Sequence, residues 1–83
     1  MGSARIRPEQ LARKLQAVRE KFGYSFAEMA AKLSDDLITV NRQDVHRYEN
    51  DLMAPSIIVL LRYSRLARVK MEIFADDKLD LPW

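Results

Sequence analysis

The chain has 83 residues, 48% of them apolar, and its 14 Lys or Arg and 12 Asp or Glu give a net charge of +2, too small to indicate a polyanionic partner by itself. Without Cys it can form no disulfide or cysteine zinc site, and the lone His46 makes no metal cluster, so we expect no cofactor. No run reaches the about 18 apolar residues of a membrane span, and no signal-peptide pattern is present, so we expect one cytoplasmic domain without a membrane partner.

The first two predicted helices are delimited by their caps. Pro8 suits a first helical turn, and a stripe at three- and four-residue spacing follows it: Leu11, Leu15, Val18 and Phe22. Gly23 suits the left-handed residue that ends a helix. Ser25 and Glu28 form a capping box that opens a second helix. The apolar positions of this second helix are Phe26, Met29, Ala30 and Leu33.

The third predicted helix, residues 41–50, has two chemically different sides. Residues 34–39 before it are a poor continuation of any helix and predict a connector. Asn41 is a good N-cap, and Asp44 completes a variant of the capping box. Val45 and Tyr48 share the apolar side. Polar side chains project elsewhere: Arg42, Gln43, His46, Arg47 and Asn50.

Two further helices and a tail complete an all-α, compact five-helix domain with its core at about residues 8–75. Ser56 caps a fourth helix that runs to about Arg68, and residues 69–74 form a fifth. The residues of the fourth helix expected to face the core are Leu60, Leu61 and either Ser64 or Ala67. We expect the arginines of this helix to offset acidic residues of the tail, residues 76–83, within one chain or between subunits: Arg62, Arg65 and Arg68 with Asp76, Asp77 and Asp80.

The order of these segments resembles the Cro and lambda-repressor class of helix-turn-helix proteins, also called the xenobiotic-response-element class. The resemblance covers about residues 11–74. It is carried by Arg19, by SFAEMA at residues 25–30, by VHRYEN at residues 45–50 and by Pro55-Ser56 before the fourth helix. It implies a lambda-repressor-like fold, DNA binding through the third helix, and a structural ion pair between Arg19 and Glu49.

The chain departs from the family pattern at three places. Phe26 replaces a frequent Gln, and Asp51 replaces the usual Gly after Glu-Asn. The turn before the third helix is about five residues longer, at residues 35–39. A longer turn costs little if Val40 and Val45 still pack against the second helix, and it could present Leu37 and Ile38 to a partner.

The exposed side of the third helix has the chemistry that reads base edges. Arg42 and Arg47 suit guanine, Gln43 suits adenine, and His46 can contact a base or a phosphate. The candidate phosphate contacts, which set register without reading sequence, are Ser25, Asn41 and Asn50. Asp44 opposes DNA binding by its charge unless it accepts a hydrogen bond from cytosine or caps the helix, and we favour the cap. Arg5 and Arg7 are either a basic arm or a solvated tail.

We therefore expect a sequence-specific DNA-binding regulator, most simply a repressor in a bacterial or phage system, bound to a two-fold operator as a homodimer. The fourth helix carries more apolar residues than one core face needs. The predicted dimer interface combines this surplus with the apolar tail: Ile58, Val59, Leu79, Leu81 and Trp83. The alternative is a protein-interaction module, such as an antitoxin that captures a partner protein. An enzyme is disfavoured because no nucleophile and base pair or phosphate loop is recognisable.

Overall fold

The computed structural model describes residues 7–83, so Arg5 of the predicted basic arm lies outside it. The described residues form five helices and no strand, which confirms the all-α prediction for this part of the chain. The helices are α1 (Leu11–Phe22), α2 (Phe26–Leu33), α3 (Arg42–Glu49), α4 (Ile57–Ala67) and α5 (Glu72–Ala75). The fifth helix is shorter than predicted because residues 68–71 are needed to close α4 and turn the chain.

The predicted N-terminal caps of α2, α3 and α4 are confirmed. Ser25 and Glu28 form a full capping box at α2. At α3, Asn41 Oδ1 accepts from the Asp44 amide at 2.8 Å, and Asp44 Oδ2 accepts from the Asn41 amide at 3.2 Å. Ser56 Oγ accepts from the backbone amide of the third helical residue of α4. Each cap satisfies amides that the helix itself cannot pair.

The C-termini of α1, α3 and α4 are closed by the same motif, although only one of them has a glycine. Gly23, Asp51 and Arg68 all have a left-handed backbone, with φ of 69°, 59° and 58°. In each case the next residue donates its amide to a carbonyl five residues earlier, as Leu52 does to Arg47 at 2.9 Å. This is the Schellman arrangement. A residue with a Cβ is strained there by about 1–2 kcal/mol, so Asp51 and Arg68 each store a small cost.

The core is assembled from all five helices, with α3 in most extensive contact with α2. The buried set includes every predicted apolar position of α1 and α2 except Phe22 and Phe26, which lie at the surface or its margin. Three buried or nearly buried rings, Tyr48, Tyr63 and Phe74, stand edge to face with centroids 6.5 and 6.4 Å apart. This row of rings joins α3, α4 and α5.

The core-facing side of α4 differs from the predicted one. Its buried residues are Val59, Tyr63, Ser64 and Ala67, whereas Leu60 and Leu61 are only partly buried. The spacing of Val59, Tyr63 and Ala67 places them on one stripe. Because Tyr63 must reach Tyr48 and Phe74, it sets the rotation of the helix and carries Val59 into the core.

A fully buried lysine joins α1 to α5. Lys14 Nζ donates to the carbonyls of Ile73 at 2.7 Å and Asp76 at 3.0 Å. These carbonyls lie at the end of α5, where a cation is favoured. The Lys14 stem occupies the apolar stripe of α1, so this side chain both packs and caps.

The C-terminal tail follows α1 and belongs to the fold. Asp77 accepts from the amides of Glu9 and Gln10 just before α1, and Asp80 pairs with Arg13 at 3.1 Å. Within one chain, the predicted offset of the tail acids by the α4 arginines is therefore wrong for Asp80, which pairs with α1. Arg62 instead pairs with Asp35 in the connector and donates to the Leu33 carbonyl.

Candidate nucleic-acid interface

The connector between α2 and α3 is held by its own hydrogen bonds. Asp35 Oδ1 accepts from the amides of Leu37 and Ile38, and Ser34 Oγ accepts from the Val40 amide at 2.8 Å. The bond from Leu37, reinforced by Arg62, holds the pKa of Asp35 below its ordinary value. Val40 is buried in the core cluster. The lengthened connector therefore leaves α3 docked on α2, as expected if the apolar contacts are kept.

The buried side of α3 is fixed by packing and by an ion pair. Val45 is fully buried, and Tyr48 nearly so. Arg19 donates from Nε to Glu49 Oε2 at 2.7 Å and from Nη2 to Oε1 at 2.9 Å, a bidentate pair between α1 and α3. Arg19 also donates to the Tyr24 carbonyl. The Glu49 side chain is only 3% exposed, and its hydrogen bond raises the pKa of Arg19. The predicted structural pair is present.

The opposite side of α3 presents the four predicted base-reading side chains together. All are exposed and line one shallow cleft of about 450 Å³: Arg42, Gln43, His46 and Arg47. Arg42 and His46 are one helical turn apart, as are Gln43 and Arg47, so the four form two adjacent rows. Asp44 lies beside them, but its carboxylate is engaged by the Asn41 amide, and its other oxygen is 3.5 Å from Arg47. The structure thus gives Asp44 the capping role.

The three predicted phosphate contacts are all exposed, but they differ in what remains free to bind. Ser25 and Asn41 use side-chain oxygens as N-caps of α2 and α3, and these caps do not use the Asn41 amide nitrogen or the Ser25 hydroxyl hydrogen, which can act as donors. Asn50 instead donates from Nδ2 to the His46 carbonyl at 2.8 Å. One of its two N–H groups is therefore used within α3.

Two residues of the cleft were not predicted as functional: Phe26 and Leu52. Phe26 opens α2, with the Arg19 guanidinium 4.4 Å from its ring centre and the His46 ring at 5.5 Å in an edge contact. Leu52 follows the left-handed Asp51 and is 68% exposed. From the sequence, Phe26 is predicted as an apolar position of α2 and as a departure from the family pattern, with no functional role. Its helical spacing assigned it to the core, which hid its position beside α3.

The structure corrects two residues of the predicted dimer interface. Val59 and Leu81 are buried in the core of this chain and contribute no free apolar surface. Leu79 is partly buried, and Trp83 stays 44% exposed although the ammonium of Lys21 on α1 lies 4.4 Å from its ring centre. Ile58 remains about half exposed, beside the more exposed Ile57. The exposed apolar surface of α4 is therefore smaller than predicted, and much of the tail packs on its own chain.

Comparison with protein-family models, with curated proteins and with solved structures finds no significant match to the chain. Within residues 7–83, no helix has the length and apolar character needed to cross a membrane. The same residues contain no group of three or more His, Cys, Asp or Glu side chains that could hold a metal ion.

Proposed function

We propose that this chain is a sequence-specific DNA-binding transcriptional regulator, of the Cro and lambda-repressor type, that places α3 in the major groove. One observation carries the proposal. Four side chains that can pair with base edges line one exposed cleft on a helix whose opposite side is locked into the core. A helix that must reach into a groove needs this division between a rigid support and a free polar face.

The side chains of α3 divide into roles by their chemistry. Arg42 and Arg47 each offer the planar donor fork that pairs with guanine O6 and N7, and Gln43 offers the donor and acceptor that pair with adenine. Each good bidentate pair discriminates against the wrong base by about 1–3 kcal/mol. His46 stands at the Phe26 edge of the face, within reach of a base or a phosphate.

Phosphate contacts come from the N-termini of two helices. Ser25 and Asn41 cap α2 and α3, and amides at helix N-termini favour anions. With α3 in the groove, we expect these two ends to approach the backbone and set the register. Asn50 is expected to contribute less to phosphate binding, because one N–H of its side-chain amide already donates to the His46 carbonyl.

We further propose that the protein represses transcription by occupying a two-fold operator as a homodimer. The support is the pair of exposed isoleucines at the start of α4, Ile57 and Ile58, which leave apolar area in water. A dimer would also span two half-sites about 34 Å apart and so read more base pairs than one α3 can.

A second candidate function is the capture of a partner protein, as in an antitoxin. The observation in its favour is Leu37, which is 86% exposed in a connector that its own hydrogen bonds hold in place. An ordered, exposed apolar side chain suits a protein contact. This function would leave the charged face of α3 without a role in binding.

Selection of bound sequences from a random DNA pool tests the proposal. We expect an enriched motif with guanine or adenine at its strongest positions, and two-fold symmetry if the dimer forms. Sedimentation should then show that Ile58→Glu shifts the protein toward monomer and weakens binding to the symmetric site. A pool without enrichment would contradict DNA reading, whereas an enriched single half-site bound by a monomer would contradict only the homodimer.

A further inference from the structure

The cleft on α3 is apolar at two points that the base-reading roles leave unexplained. Phe26 and Leu52 line it together with the four polar side chains of α3. They come from different segments, the first turn of α2 and the loop after α3. The cleft is thus lined both by hydrogen-bond donors and by two apolar side chains.

Both apolar residues are held in position. The Phe26 ring has the Arg19 guanidinium over it and His46 at its edge, and Arg19 is itself held by Glu49. Leu52 is held at the backbone, where its amide donates to the Arg47 carbonyl. Its side chain nevertheless remains 68% exposed, so it is available to a ligand.

We propose that Phe26 and Leu52 form a seat for the C5 methyl group of a thymine, adjacent to the bases that Arg42, Gln43 and Arg47 read. This inference rests on the proposed DNA-binding function and adds a specificity element to it. In the major groove, thymine alone among the four standard bases presents a methyl group beside its O4 acceptor. Two apolar side chains in a cleft that also holds donors match those two features: the apolar side chains contact the methyl group, and a neighbouring donor donates a hydrogen bond to O4.

The composition of the cleft favours a base over an apolar peptide. Arg42 and Arg47 give its lining a positive charge, which matches the phosphates of DNA. A buried peptide side chain would require both guanidinium groups to lose water, and the Asp44 carboxylate, 3.5 Å from Arg47, would offset only part of that cost. DNA provides base acceptors and phosphates to these same groups.

Thymine-to-deoxyuridine substitution isolates the methyl group. The substitution removes only the C5 methyl group and keeps base pairing and the O4 acceptor. Each thymine of the selected site is replaced singly, and binding is measured for the wild-type chain, Leu52→Ala and Leu37→Ala. Leu37 is the matched control, an exposed leucine in the connector that precedes α3. Thermal melting confirms that the variants fold, and neither removes a buried side chain.

We expect one thymine in each half-site at which deoxyuridine weakens wild-type binding about fourfold, the effect of one methyl group. Leu52→Ala should lose that sensitivity, and Leu37→Ala should keep it. The proposed thymine contact is contradicted if the half-site contains no thymine, or if deoxyuridine weakens binding at none of its thymines. It is also contradicted if Leu52→Ala keeps the wild-type sensitivity to deoxyuridine. A third contradicting result is that Leu52→Ala binds every DNA site with wild-type affinity, which is expected if the cleft binds a peptide and not a base. Failure of the chain to select any DNA would remove the proposed function itself.

Discussion

Two groups of charged side chains in this molecule differ in their burial and in what they bind. Arg19, Glu49 and Lys14 have most of their surface removed from water and bind fixed partners inside the fold. Arg42 and Arg47 lie on the exposed side of α3. A buried charge is costly unless its partner is in place, whereas an exposed charge contributes little to stability and stays available. Burial, and not residue type, therefore separates the supporting charges from the proposed reading charges.

The largest expected loss of stability comes from breaking the buried ion pair between Arg19 and Glu49. Glu49→Ala leaves the Arg19 guanidinium without its bidentate partner, and we expect the free energy of unfolding to fall by about 3–5 kcal/mol. Denaturant unfolding measures the change. Glu20→Ala is the control, since Glu20 is an exposed carboxylate on α1. Equal losses in the two variants would show that burial does not distinguish these charges.

The buried lysine extends the comparison to a group paired only with carbonyls. Lys14→Met keeps an apolar stem in the α1 stripe but removes both hydrogen bonds to the end of α5. We expect a loss of about 2 kcal/mol, the scale of hydrogen bonds made by a charged group. Lys70→Met, at an exposed position, should have an effect within about 0.5 kcal/mol. A Lys14→Met variant as stable as the control would mean that the carbonyls find other partners.

A buried polar group without a partner predicts a change of opposite sign. Within residues 7–83, the Tyr63 hydroxyl is the one buried side-chain nitrogen or oxygen that has no hydrogen-bond partner. Burial also raises the pKa of this phenol well above its ordinary value, so it stays neutral. Tyr63→Phe removes the unsatisfied group and keeps the ring contacts with Tyr48 and Phe74. We expect a gain of about 1 kcal/mol in thermal or denaturant unfolding, and a loss would indicate a partner such as a bound water.

The smallest expected effect separates charge from backbone strain. Arg68 is an exposed arginine whose constraint is its φ of 58° at the end of α4. Arg68→Gly should stabilise the protein by about 0.5 kcal/mol, because relief of strain exceeds the added freedom of the unfolded chain. Arg65→Gly, inside the same helix, should destabilise it by about 1 kcal/mol. Changes of the same sign at both positions in a melting series would contradict this separation.

Local features of the fold could be predicted from the sequence, because each depends on a few neighbouring residues. The capping boxes at Ser25 and Asn41 and the left-handed Gly23 are examples. The core side of α4 could not be predicted in this way. Residues 57–61 are apolar without interruption, so no single stripe stands out, and the distant rings around Tyr63 decide the rotation.

The candidate site shows the same division. Arg42, Gln43, His46 and Arg47 follow from the helical period once the apolar side of α3 is known. Phe26 and Leu52 reach the cleft only through the packing of α2 and the turn after α3, which no periodic pattern encodes. The fixed course of the tail along α1 likewise depends on pairings across more than sixty residues, such as Asp80 with Arg13.

The central claim, that the exposed side of α3 reads bases, is tested most directly by the affinity of Arg47→Ala for the selected site and for random DNA at one salt concentration. Loss of a base contact should weaken selected-site binding by about 1–3 kcal/mol and barely change random binding. Asn41→Ala, the phosphate-contact control, should weaken both by a similar factor, because a phosphate contact carries no sequence information. Equal losses on both DNAs for Arg47→Ala would contradict base reading by this residue. No loss on either would contradict the placement of α3 in the groove.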